Sequence, residues 1–557
     1  MIKFISKYFN QKKSNLFYSK NESWWLIGFS MLLSSGVFVE PLLICASLKK
    51  GNLSEMWLYW SATIGVACSI SFFAHLWKNV PVNTENEFIF FRFSGIAAKV
   101  LHIFRSLYLG AAIIPFIIAF SLLAISKICS HILQIEINSV IFIITIFLLL
   151  FTVFNSFKSR IKIDFFLFSI FIILFVVLFF SLCFYTNGLS NLSSTIKSKN
   201  NGLQILPSLG SNALNAFFIF ISVQWWSASI LDYPDMNGQK LMSSKNINGL
   251  VKSVFIPNFI LLFFRILLFT LPFMAVYYGY TKGFTDSELA FASLFTNVLP
   301  EWMLILVVLF FLIPFLVVVQ NNQNWAGSLL VENFYKKHIN KESNTKIIGI
   351  IVMMSVVLVA SIIAVNSDSL IGITKLLFTM TAGVGPVFVL RWYWWRINAW
   401  SQLSAMLAGL IYPFLYDWFF KNNDWFHQII QNFQNKNLID FYPLKLVVLT
   451  ILVCITWIII TFLTPVTDKN VLQNFASTIK PGGFWKPFHN SGKSYFKYRV
   501  LAWILQIAKG FLTYFVFWNF LLGNYYNVIL QLLIIIMLFS ASYYIVNLAN
   551  KKYDLNL

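Results

Sequence analysis

The chain has 557 residues, 58% of them hydrophobic, 18% aromatic and only 11% charged, and a mean hydropathy of +0.74 excludes a soluble globular domain and places it in a bilayer. Its five cysteines, Cys45, Cys68, Cys129, Cys183 and Cys454, share no paired or metal-ligand spacing, which excludes a disulfide framework and a zinc site. A net charge of +21 would point to nucleic acid in a soluble protein, but in a membrane protein it is first a matter of loop topology.

A spanning helix takes about 20 mostly apolar residues. Fourteen stretches come near that length, at 24–45, 57–77, 107–127, 137–157, 163–185, 213–231, 253–278, 302–320, 346–366, 369–390, 400–420, 444–464, 500–522 and 526–548. An even number puts both termini on one side. The opening tail, 1–23, carries Lys3, Lys7, Lys12, Lys13 and Lys20 with no acid before Glu22 and lacks the apolar core of a cleaved signal, so it reads as cytoplasmic. In that orientation 29 of the 41 Lys and Arg lie on the cytoplasmic side, 9 outside and 3 (Arg265, Lys375 and Lys509) within spans, which satisfies the positive-inside rule with no nucleic acid as partner. Lysine far outnumbers arginine and phenylalanine reaches 61, the bias that AT-rich codons produce, so a bacterial inner membrane is the expected location.

The first span, WWLIGFSMLLSSGVFVEPLLIC, holds Ser34, Ser35 and Gly36 at its middle and Glu40-Pro41 beyond. Gly and Pro loosen the helical ladder, and a freed backbone at that depth is tolerated only inside protein or beside a cavity, so a broken helix is predicted. Glu40 reads as a transport or proton-relay group, because an ionisable side chain in a span is costly; the alternative is a protonated or Arg-paired structural acid nearer the surface. In the sixth span Gln224 stands beside Trp225 and Trp226, followed by Asp232, and the pair either lines a cavity or anchors the span at the interface. At the inner end of the eighth span five amides, Gln320 to Asn324, either line a polar path or mark a cytoplasmic helix end. Arg265 and Lys375 must pair or snorkel, and WYWWR at 392–396 reads as an interfacial anchor. All six histidines fall at span ends or in loops, no phosphate-binding glycine loop is present, and the loop at 465–499 is too short for a domain, which argues against an enzyme.

With these residues in view the chain resembles the sodium:solute symporter family. The stretches that carry the resemblance are WWLIGFSM with Pro41, WLYWS at 57–61, FRSLYLG at 104–110, VQWWSAS and LMSSKN within 223–246, NWAGSLLVENFYKK at 324–337, LRWYWWRINAWSQLSAMLAG at 390–409 and FLTPVTDKNVLQNFASTIKPGG at 462–483, in family order. The resemblance implies an all-α integral membrane protein of about 14 helices with a LeuT-type core at 24–390, built from inverted repeats 24–185 and 213–390. Four more helices would fill 391–548, including the cytoplasmic loop at 465–499, before a cytoplasmic tail at 549–557. The broken first span and the QWW-bearing sixth occupy corresponding places in the two halves, which agrees with that architecture.

The implied function is secondary active transport of a small polar solute, with Glu40, Gln224, Trp225 and Trp226 bordering the cavity, no organic cofactor, and Na+ or H+ as coupling ion. The family's usual sodium site takes backbone oxygens of the first span, here Leu33 and Gly36, and two hydroxyls on the eighth. Val317 and Val318 stand at those hydroxyl positions, so coupling through that site is expected to be altered or lost. Alternatives are a non-coupled carrier or remnant, and an integral-membrane transferase, against which stands the lack of membrane-facing His and paired carboxylates. Membrane lipids are expected partners; the solute and the oligomeric state are not legible in the sequence.

Overall fold

The computed structural model describes residues 17–554 apart from 18, 52, 153–156, 187, 200–204, 209–210, 229–230, 233–235, 341–344, 426–427, 429–430, 433–440 and 489–492. Most of the basic tail, and the far end of 549–557, therefore lie outside the described residues. Apart from two isolated bridges, the described regular structure is helical. In chain order the helices that build the molecule are α1 (Trp24–Leu33) and α2 (Glu40–Lys49), α3 (Leu53–Lys78), α4 (Gly95–Leu133), α5 (Ile137–Thr152), α6 (Arg160–Tyr185) and α7 (Ala213–Ser227). Next come α8 (Met236–Met242), α9 (Ile247–Tyr277), α10 (Leu289–Val298), α11 (Glu301–His338) and α12 (Lys346–Val365), then α13 (Leu370–Thr381), α14 (Gly385–Tyr393) and α15 (Ala399–Phe420). The chain closes with α16 (Phe441–Leu463), α17 (Lys469–Ile479), α18 (Tyr495–Leu521) and α19 (Tyr525–Tyr553).

Among the described residues ten helices are long and apolar enough to cross a bilayer, and α13 with α14, bent by 44°, makes an eleventh. The other three predicted stretches fall on shorter helices: the first on α1 and α2, the fourth on α5 and the sixth on α7. Length and composition thus support ten or eleven crossings, and the count of fourteen depends on how these short pieces sit in the bilayer. Helix α10 is an apolar helix between the seventh and eighth predicted stretches.

The break after α1 has a local cause. Ser34 and Ser35 turn their hydroxyls onto the carbonyls of Met31 (3.1 Å) and Leu32 (2.7 Å), the back-bonding that bends helices. Gly36 then takes a left-handed φ of +72°, which no β-carbon obstructs. The chain re-enters helix at Glu40, a carboxylate in the first turn where the helix dipole favours negative charge, followed by Pro41, whose missing N–H costs nothing there. Behind the break, α1 packs closely on α9: a β-carbon at Gly28 would lie 2.5 Å from the Pro257 ring and 2.6 Å from the Ser253 carbonyl oxygen. Large apolar side chains such as Phe142, Phe180, Ile362 and Met537 remain exposed on the outer helices, where hydrocarbon would cover them.

Candidate functional site

A cavity of about 470 Å³ opens beside the break between α1 and α2, within the range of about 300–1,000 Å³ usual for small-molecule sites. Gly36 and Glu40 line it at the break, Tyr59, Trp60 and Thr63 from α3, Phe120 from α4, Asn258, Arg265 and Phe269 from α9, and Thr374 and Phe378 from α13. Helix α18 supplies Gln506, Lys509, Thr513, Tyr514 and Phe517. Glu40 and Arg265 form a fork: Arg265 Nη2 donates to Glu40 Oε1 at 2.5 Å and Nε to Oε2 at 3.1 Å. Two parallel charge-assisted bonds fix the direction of both side chains. Both retain some exposure, 19% for Glu40 and 29% for Arg265, so the pair meets the cavity instead of being sealed behind it. Arg265 therefore pairs inside the protein, as does Lys375, whose Nζ lies 3.2 Å from Glu55 Oε1. Next to the fork, Tyr514 and Thr63 share a hydroxyl–hydroxyl bond of 2.8 Å, and Trp60 stacks on Tyr514 with centroids 4.6 Å apart.

A second polar cluster lies at the α1 side of the break. The buried carboxylate of Asp164 on α6 accepts from the Ser30 hydroxyl of α1 and, at 3.4 Å, from Asn321 Nδ2 of α11. One helical turn beyond Ser30, the Ser34 hydroxyl accepts from Lys240 Nζ of α8 at 3.2 Å. The positive charges of Lys240 and Arg160 both bear on Asp164. Acid and ammonium are thus held by two serines on one face of one helix, and Lys240 is fully buried.

The amide run belongs to this interior. Gln320 to Asn324 are all buried within α11, which continues past them to His338. Asn321 and Asn322 donate back to the carbonyls of Val317 (2.9 Å) and Val318 (2.8 Å), Gln323 donates to Thr152 Oγ1 (2.8 Å) and Asn324 to the Phe17 carbonyl (3.2 Å). The side-chain amide of Gln320 has no hydrogen-bond partner among the described residues.

A sequence model of the sodium:solute symporter family matches residues 21–409. The chain belongs to the sodium:solute symporter family. Among solved structures, a Na+-coupled sialic acid symporter in a substrate-bound outward-open state is similar with a TM-score of 0.59 at 14% identity, over 84% of this chain and 96% of that one, which establishes a shared fold. A manganese transporter from Eremococcus coleocola, solved with an aromatic bis-isothiourea compound, is aligned over 95% of this chain and 99% of that one at 14% identity, with a TM-score of only 0.37. A search of curated proteins finds no match. The transporter is accordingly an all-α, multi-pass secondary carrier of small solutes and not an enzyme.

The transporter's structure treats the sequence-predicted residues unequally. Glu40 and Gly36 line the cavity, whereas Leu33 is fully buried at the end of α1. Gln224, Trp225 and Trp226 are not among its lining residues. Gln224 is buried with Nε2 donating to the Leu58 carbonyl at 2.6 Å, Trp226 Nε1 donates to the Ser222 carbonyl at 2.5 Å, and Trp225 packs on Trp503 of α18. A π-helical turn at Phe220–Gln224 precedes the pair, and Gln224 meets α3 and Trp225 meets α18 instead of the cavity. Val317 and Val318 are buried and bring no side-chain oxygen. The WYWWR run is likewise not a plain interfacial anchor: Trp392 is fully buried, its Nε1 donating at 2.6 Å to Asp232 Oδ2, which Arg391 Nη2 also meets at 2.7 Å. The sequence reading missed Asp164 and Lys240. Asp164 was hidden at the rim of an apolar run and Lys240 in a polar turn, although an acid in RIKIDFFLF is itself a signal for a membrane-buried charge.

Proposed function

We propose that the solute occupies the cavity at the α1–α2 break, that the Glu40–Arg265 fork takes part in holding or releasing it, and that coupling does not run through the family's usual sodium position. The observation that carries the reading is the polar content of the two places. The cavity carries the charged fork, while Val317 and Val318, at the positions that the family resemblance assigns to two cation-ligating hydroxyls, bring only methyl groups. Each missing hydroxyl forgoes about 1.5–3 kcal/mol by analogy with hydrogen bonds to charged groups. For the pair this is about 3–6 kcal/mol, or about two to four orders of magnitude in affinity. Close by, the Lys240 ammonium already supplies a positive charge to the Ser30–Ser34 face and Asp164.

Two routes to active transport remain, a proton on Glu40 or Asp164, or a displaced ion site. The amides support the second weakly, because four of the five spend their N–H donors on protein partners. The repeats 24–185 and 213–390, both termini in the cytoplasm and a bacterial inner membrane complete the reading, supported by the interruptions at 34–39 and after Ser227 and by the charge split. The test is solute uptake into proteoliposomes under an imposed sodium gradient against an imposed proton gradient. Accumulation driven by protons supports the proton route; robust accumulation that saturates in sodium overturns that route and shows either relocated sodium ligands or a shifted alignment of Val317 and Val318; uptake that follows neither gradient and only equilibrates marks an uncoupled carrier.

A further inference from the structure

Helix α18 lies wholly beyond residues 21–409, yet it forms one wall of the cavity. Gln506, Lys509, Thr513 and Phe517 recur at intervals of three and four residues, with Tyr514 beside Thr513, so they make a single stripe along that helix. The stripe comes close because Gly510 sits against Thr63 of α3, with no room for a β-carbon. Lys509 is only 8% exposed and lines the cavity, and among the described residues its Nζ makes no ion pair or hydrogen bond; its one recorded contact is the face of Phe539 at 5.9 Å. An aromatic face does not neutralise a charge, and an uncompensated ammonium at this depth is unfavourable until an anion joins it. The other two charges on the cavity wall, Glu40 and Arg265, already satisfy each other. Among the described residues the cavity wall therefore carries one positive charge without a counter-charge, and the same wall bears the hydroxyls of Thr513, Tyr514 and Thr63 and the indole of Trp60.

We propose that the cavity recognises a small monoanionic carboxylic acid bearing hydroxyl groups, its carboxylate seated on Lys509. This rests on the cavity being the solute site. A lipid phosphate offers the same charge, and the experiment separates the two sources.

Thermal shifts are measured on purified protein in lipid-free neutral detergent with a panel of small hydroxycarboxylates and their neutral amides, and again with phosphatidylglycerol added instead. The expected result is stabilisation by carboxylates and not by amides. Lys509→Met should need about ten- to a hundred-fold more of the same carboxylate for half the effect, from the loss of one charge-assisted contact. Lys509→Arg, which keeps the charge, should retain most of the affinity. Equal shifts from carboxylate and amide, indifferent to Lys509→Met, overturn the anion inference and leave the cavity reading standing. A shift with phosphatidylglycerol alone overturns the inference in favour of a lipid site, and no shift with any of these carboxylates overturns the inference while leaving the cavity reading to the uptake measurement.

Discussion

Replacing Glu40 by Gln removes one charge and leaves the size of the side chain unchanged. In the structure Glu40 accepts two bonds from Arg265, at 2.5 and 3.1 Å, and the amide can accept only through its single oxygen. Breaking a fully buried pair by removing one partner costs about 3–5 kcal/mol, whereas exposed pairs are worth about 0–1 kcal/mol. With side chains 19% and 29% exposed, the fork lies between these limits. We expect a loss of about 1–3 kcal/mol for Glu40→Gln, a similar loss for Arg265→Gln, and a clearly smaller combined loss in the double variant, because the second change removes the charge that the first leaves unpaired. The stability assay is the thermal midpoint of the purified protein in detergent, and the functional assay is solute uptake in proteoliposomes across a pH series. If the fork serves transport, Glu40→Gln reduces uptake or changes its pH profile, and the double variant regains stability without regaining uptake. Unchanged uptake at every pH would refute the functional assignment and leave Glu40 as a structural acid. Strictly additive stability losses would refute the geometry itself.

Reporter fusions placed at Asn21 and after Leu557 should both report cytoplasm; a periplasmic signal from either overturns the even number of crossings and the repeats with it. Asp232→Asn should sharply lower folded yield and thermal midpoint, by about 3–5 kcal/mol, since it leaves the fully buried Arg391 without its carboxylate; a midpoint near wild type in size-exclusion-pure protein would show the pair to be dispensable. In the loop between α9 and α10, burial alone would raise the Asp286 carboxyl, but the Lys127 ammonium at 2.7 Å and the backbone N–H groups of Leu289 and Glu288 outweigh it and hold the carboxyl below the ordinary carboxylate range. A group depressed in the folded state stabilises above its unfolded value, about 3.9, and loses that contribution as pH falls through the folded value. The wild-type midpoint should therefore fall below about pH 4, and Asp286→Asn should lower it near neutrality while flattening the acid decline; parallel curves for the two proteins would contradict the assignment.

What the linear chain determined here is what depends on neighbours within a few turns. Apolar run length located the ten or eleven helices long enough to cross, and Ser34-Ser35-Gly36 with Glu40-Pro41 announced the broken first helix, because serine back-bonding, a left-handed glycine and a proline at a helix start act within a handful of residues. The motif runs through 324–337 and 390–409 carried the family for the same reason: they are local strings. The tertiary structure decided who meets whom. Glu40 and Arg265 are 225 residues apart, and Lys240 lies 206 from Ser34, so no periodicity links either pair. Gln224 and the Trp pair had the composition of a cavity wall, yet Gln224 bonds to α3 and Trp225 packs on α18. Lys509 stood out in the sequence only as one of three cations within spans; the packing of α18 on α3 through Gly510 set it, without a counter-charge among the described residues, on the cavity wall. In an apolar medium every buried charge must find a partner, and the partner is chosen by helix packing across the whole fold, which short-range sequence cannot encode.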